Sequence, residues 1–179
     1  MRNQTIYDLG QRKALLLAFR KPCEDDVDVF TLRTRGIDAY FVVKSENDIN
    51  EIMSVADDII HSSTGTIDLN INDVKSILHD ANRAYYSCGV GSGASALKDA
   101  LDEVKEDFSR CGVNIFETKK FLFRICMPIP KVYDREYVME QMNAFVEFQS
   151  LLPDNYDLKF CLMPVEGQKT TVSAFVVKA

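Results

Sequence analysis

The chain lacks any apolar run near the roughly 20 residues that a membrane-spanning helix requires. Its longest, Ala14 to Phe19, has the length of a strand. It also lacks a basic excess. With 21 Lys and Arg against 27 Asp and Glu, the net charge is −6, which provides no electrostatic footprint for nucleic acid or an anionic membrane surface. Neither partner is expected, nor is membrane insertion. The N-terminus, MRNQTIYDLGQRK, has no apolar core ahead of a small-residue cleavage site, so it does not read as a signal peptide. No C-x-x-C pair occurs among Cys23, Cys88, Cys111, Cys126 and Cys161, and their number is odd. Cys88, Cys126 and Cys161 lie in apolar strand-like runs, where cysteine behaves as a small hydrophobe. A reducing cytoplasm is the simpler expectation. The two histidines, His61 and His79, have no thiol at ligand spacing, so no metal site is expected.

What is present is the composition of a globular protein, 46% hydrophobic and 27% charged over 179 residues, enough to bury a real core in one domain. Ala14–Phe19 reads as a buried strand ended by Lys21-Pro22, and Ala39–Val43 as the next. Residues 22–36 mix acidic, turn and β-branched residues and read as a connection whose structure the pattern leaves open. Ser45, followed three residues on by Asp48, caps a helix whose apolar Ile49, Ile52, Met53, Val55, Ala56, Ile59 and Ile60 recur at helical spacing. That helix should stop near His61, before Ser62-Ser63-Thr64-Gly65. A short helix opening near Asn72, a strand over Ala84–Val90, a helix over about Ser95–Ser109 and a strand over Phe121–Met127 follow. Asp134 caps a helix to about Leu152, and Leu158–Met163 and Thr170–Val177 close the chain as an expected antiparallel hairpin. The order predicts an α+β fold, a mixed sheet packed by helices.

Two stretches could carry chemistry. Gly89-Val90-Gly91-Ser92-Gly93 stands between a strand and a helix, where phosphate-binding turns sit. Its G-x-G-x-G order is not the dinucleotide fingerprint, and the same glycines would serve a tight turn. Asp68, Asn70, Asn72 and Asp73 crowd the start of the short helix, where Asx side chains satisfy open N–H groups. Glu24, Asp25, Asp26 and Asp28 lack the glycine and terminal glutamate of a calcium loop and read as a solvated turn.

The run from Ala56 to Gly93 resembles the junction between the two halves of FtsZ and tubulin-like GTPases. There a long central helix ends in a loop of the form G-x-I-N-x-D-x-x-D-V, followed by a helix and a strand ending in G-x-G. Here the loop is Gly65-Thr66-Ile67-Asp68-Leu69-Asn70-Ile71-Asn72-Asp73-Val74. Phe19-Arg20-Lys21-Pro22 is similar to the family's T-K-P-F strand end, and Ile37 to Asp48 to its D-x-x-I-V-I-P-N-D strand. Residues 120–179 follow the order of its C-terminal domain, a two-layer sandwich. The resemblance implies three parts: residues 1–44 as remnant strands and a connection, 45–62 as a central-type helix, and 63–179 as the C-terminal-like domain.

The resemblance further implies that this loop supplies carboxylates to a nucleotide held by a neighbouring subunit. Asp73, Asn70 and Asp68 would then be the trans-acting residues. Only Asp73 aligns with a family carboxylate, since Asn70 falls where the family has Asp, and Asp68 where it has Asn. The family's G-G-G-T-G-S/T-G pocket has no counterpart here. The expectation is therefore a cytoplasmic assembly or interaction module of the cell-division or cytoskeletal type. It would have no GTPase activity or cofactor of its own, with GTP only in trans. Its partner would be a second copy or an FtsZ-type GTPase. The alternative is a small phosphate- or nucleotide-binding domain or enzyme that uses Gly89, Gly91 and Gly93.

Overall fold

The computed structural model describes residues 1–22, 28–62, 66–80, 82–128 and 135–177. Seven strands form one mixed sheet: β1 (Arg2–Asp8), β2 (Lys13–Arg20), β3 (Ala39–Val42), β4 (Asn82–Ser92), β5 (Lys120–Pro128), β6 (Asp157–Val165) and β7 (Lys169–Val177). Their spatial order is β1-β2-β3-β4-β7-β5-β6. The helices are α1 (Val29–Thr34), α2 (Glu46–His61), α3 (Ile71–Ile77), α4 (Ala96–Arg110) and α5 (Arg135–Ser150), with a 3-10 turn at Ile115–Glu117.

Strand alternation sorts the side chains into two cores. On one face α2 and α3 pack Ile52, Ala56, Ile59 and Val74 against Leu17, Phe41, Leu122 and Phe175. On the other, α4 and α5 pack Leu97, Leu101, Val104, Phe108 and Phe145 against Phe121, Phe123, Val172 and Val176. Thus β4–β7 with α4 and α5 form a two-layer sandwich, and the central helix α2 lies against its other face. The sheet and the first core run across residues 44 and 62. Phe19 stacks on Phe41 (5.6 Å), Phe41 meets Phe175 edge-on (6.0 Å), and Phe175 meets Tyr86 (5.1 Å).

α2 forms as its sequence predicts. The Ser45 hydroxyl accepts from Asp48 N, and the Asp48 carboxylate accepts from the amides of Ser45 (3.1 Å) and Lys44 (2.8 Å), a reciprocal cap. Asp48 sits below the usual carboxylate range. Partial burial opposes its ionisation, but the hydrogen bonds from Ser45 and the two amides outweigh it.

One sequence expectation changes, and two elements appear that the sequence did not announce. First, β6 and β7 are not a hairpin, because β5 lies between them and β7 runs antiparallel to both β4 and β5. β7 is buried along nearly its whole length and takes the central slot; β6, with Lys159 and Pro164, takes the edge. Second, the stretch over 22–36 contains α1, capped by Asp28 through Phe30 N (3.1 Å) and Thr31 Oγ1 (2.7 Å). Third, Arg2–Asp8 is a strand in register with β2. Its polar alternation, with a single buried Ile6, is that of an edge strand. Glu24, Asp25, Asp26, Gly65 and Asp134 lie outside the described residues.

β3 is short. It pairs with β4 only from Ala39↔Asn82 to Phe41↔Ala84, whereas β4 continues to Ser92. Beyond Ala84, β4 pairs with β7 on one side, and on the other its edge is open, with no strand of the described residues beside it.

Candidate functional site

The described part of the loop after α2, from Thr66 to Asn70, is anchored at both ends. Thr66 N donates to Leu162 O (2.8 Å), and Ile67 forms an antiparallel bridge with Leu162. The loop thereby leans on the β6 edge and partly covers it. At its far end Asn70 caps α3, accepting from Asn72 N (2.8 Å) and Asp73 N (3.4 Å), while Asp73 Oδ2 accepts from Asn70 N (3.0 Å). Asn70 and Asp73 therefore spend hydrogen-bonding capacity on each other's backbone, as their Asx chemistry favours. Asp68 is exposed on the same loop, two residues before the cap.

Two braces hold this end of the molecule. Asn72 donates to Gln11 Oε1 (2.7 Å) and accepts from Lys13, which ties α3 to the tip of the β1–β2 hairpin. His61, in the last turn of α2, reaches Asp57 (3.0 Å) and the Tyr7 carbonyl (3.1 Å). Beneath them Asp38 is nearly buried. It accepts from Leu16 N (2.8 Å) and pairs with Lys75 (2.8 Å), whose ammonium also donates to Ala14 O (2.7 Å). Sequence reading missed this ion pair. Asp38 and Lys75 are 37 residues apart, and neither spacing nor pattern joins them.

The glycine stretch lies elsewhere than expected. Gly89 and Gly91 are inside β4, paired with Val172 and Thr170, and only Gly93 (φ +78°) is in the turn. α4 rests directly on β4. A Cβ on Gly91 would overlap the Ala96 carbonyl group, with its carbon at 2.7 Å. One on Gly89 would overlap that of Ala100 and come within 3.1 Å of Val104 Cγ2. Carbonyl oxygens, not N–H groups, face these two glycines, so close helix-on-strand packing accounts for them without a ligand.

A second polar cluster joins α2 to the sheet. Tyr86 Oη donates to Glu51 Oε1 (2.8 Å) and lies 3.5 Å from Ser173 Oγ, which neighbours Cys88 Sγ at 4.0 Å. Burial pushes the Tyr86 phenol and the Cys88 thiol up, so both stay protonated. Burial likewise pushes Cys161 up to about 12.

No protein-family model and no curated protein matches this chain. Solved structures do. An FtsZ variant from M. jannaschii superposes with a TM-score of 0.58 at 14% identity, over 84% of this chain and 50% of that one. An empty FtsZ dimer from the same organism gives 0.55 at 16% identity, over 84% and 48%. TubZ-Bt, in a helical description of its four-stranded filament, gives 0.56 at 10%, over 74% and 33%. The fold is that of the C-terminal part of FtsZ and TubZ, and the chain spans half or less of the length of these structures.

Proposed function

We propose that this chain is an assembly module of the cytoskeletal type, which associates with a second copy or with an FtsZ-type GTPase and has no nucleotide pocket of its own. The fold carries this reading, since proteins that share it are described as a dimer and as a filament. The loop from Thr66 to Asp73 would be its contribution to the shared interface. It is exposed, anchored to β6 and α3, and held in one orientation by the hairpin brace. Asp68 would face the partner's nucleotide first. Asp73 would act through the carboxylate oxygen that takes no hydrogen bond from the described residues. A carboxylate at such a place orients the attacking water. Asn70 keeps the loop's exit angle and cannot serve as a base.

Two titrations test this. Calorimetry of the isolated chain with GTP should give no binding isotherm, and micromolar binding would overturn the reading. Phosphate release by an FtsZ-type GTPase held below its assembly concentration should rise on adding the chain. Asp68→Ala should remove that rise. A rise unaffected by Asp68→Ala and Asp73→Ala would refute the trans-acting loop.

A further inference from the structure

The open edge of β4 has a definite polarity. Val90 N donates to Glu103 Oε2 at 2.7 Å, so it points away from β7. N–H directions alternate along a strand, so the amides of Tyr86 and Cys88 point the same way. The pairing of β3 with β4 ends at Ala84 and does not reach them. The edge opens on a cleft of about 460 Å³ lined by Val43, Lys44, Glu51, Tyr86, Ser87 and Asp107, among others. Ser87 lines this cleft and is 2% exposed, and its buried hydroxyl has no hydrogen-bond partner among the described residues.

α4 determines what can enter. Ala96 and Ala100 seat it on β4, and Leu97, Leu101 and Phe108 turn one flank toward the second core. The other flank, carrying Asp99, Glu103 and Asp107, overhangs the open edge, as the Glu103–Val90 bond shows. Residues four apart on a helix rise about 6 Å, and residues two apart on a strand about 6.8 Å. A strand laid on this edge would therefore set every second side chain beside one carboxylate of the row. On the opposite face stand Glu51 and Asp48. The nearby cations are Lys44, Arg83, stacked 4.7 Å over the Tyr85 ring, and Arg110, 3.7 Å from Asp107.

We propose that the open edge of β4 binds an extended peptide segment with Lys or Arg at alternate positions, by strand addition. The occupant is not the same edge of a second copy. Pairing at about 4.8 Å would bring two α4 helices closer than the 8–10 Å that helix packing requires. The proposal goes beyond the assembly role and does not depend on it.

The test uses the full chain and the capped peptide Lys-Val-Lys-Val-Lys-Val-Lys, with a control of the same composition whose lysines are clustered. Anisotropy of the labelled peptides at low salt should show saturable binding, at least fivefold tighter for the alternating order. Amide exchange should slow at Tyr86 and Cys88. Cys88→Pro removes an edge-facing N–H and leaves the β4–β7 ladder intact; it should weaken binding at least tenfold. Should that variant fail to fold, the combined Asp99→Asn, Glu103→Gln and Asp107→Asn variant decides, because none of these residues is buried. It should also lose tenfold, together with the preference for alternation. Equal binding of both peptides, unchanged exchange at the two amides, or no binding would overturn the proposal.

Discussion

Placing alanine at Gly91 puts a methyl carbon against the backbone of α4, 2.7 Å from the Ala96 carbonyl carbon and 3.0 Å from its Cα. Neither atom can rotate away, because both belong to a helix seated by Leu97 and Ala100. Gly91 has no left-handed backbone, so the whole cost is space. Overpacking a well-filled site costs about 1–3 kcal/mol, and a clash with backbone belongs at the upper end. Gly91→Ala should therefore destabilise by about 3 kcal/mol, and lower Tm by about 6–12 °C for a chain of this size. Gly93 is the control. It has φ +78° and open space around its Cα, so Gly93→Ala pays only left-handed strain, about 1 kcal/mol after the loss of unfolded-state freedom is counted. The sequence contains no tryptophan, so urea unfolding followed by far-ultraviolet circular dichroism is the suitable assay. Ala96→Gly should not rescue Gly91→Ala, because the obstacle is the carbonyl group and not the side chain. A Gly91→Ala variant within about 0.5 kcal/mol of the parent would refute the packing account and return the glycines to a ligand role.

Removing the Lys75 ammonium strands the nearly buried Asp38 carboxylate. Lys75→Met should cost about 1–3 kcal/mol, measured by urea unfolding, and the double change with Asp38→Asn should cost less than the sum. Asn70→Ala and Asp73→Ala should each cost about 1 kcal/mol through the lost cap, and together less than additively because each completes the other's box. Asp48, with its folded pKa lowered by its hydrogen bonds, stabilises the fold above the unfolded carboxyl value of about 4. That stability disappears as pH falls through the lower folded value. The stability gap between the parent and Asp48→Asn should therefore close as pH falls below about 4. The raised Cys161 thiol acts in the opposite range. It favours the fold fully below the unfolded thiol value of about 8.5 and loses that contribution as pH rises toward 12. Iodoacetamide mapping at neutral pH should label the exposed Cys111 well before Cys126 and Cys161.

The elements with strong local signals were legible in the sequence. α2 could be read from Ser45, Asp48 and the isoleucine spacing, and α3 from its cluster of Asx residues, because caps and stripes are short-range chemistry. The β6–β7 pairing was misread because adjacency in sequence was taken for adjacency in space, whereas burial favours β7 at the centre. β1 was missed because an edge strand with one buried residue has almost no apolar period. The capping role of Asn70 and Asp73 could be anticipated from residue type. The bracing of the helices that flank this loop, by Gln11 and Lys13 on α3 and by Tyr7 on α2, could not, since those contacts span more than 50 residues. The glycines of β4 were visible as unusual, but their reason, a helix backbone in close approach, exists only in three dimensions.

Sedimentation velocity of the full chain, run over a hundredfold range of concentration with and without GTP, tests the assembly role most directly. An assembly module should give a sedimentation coefficient that rises with concentration, alone or on adding an FtsZ-type GTPase, and that GTP does not alter for the chain by itself. A single monomeric boundary at every concentration, with or without that GTPase present, would contradict it.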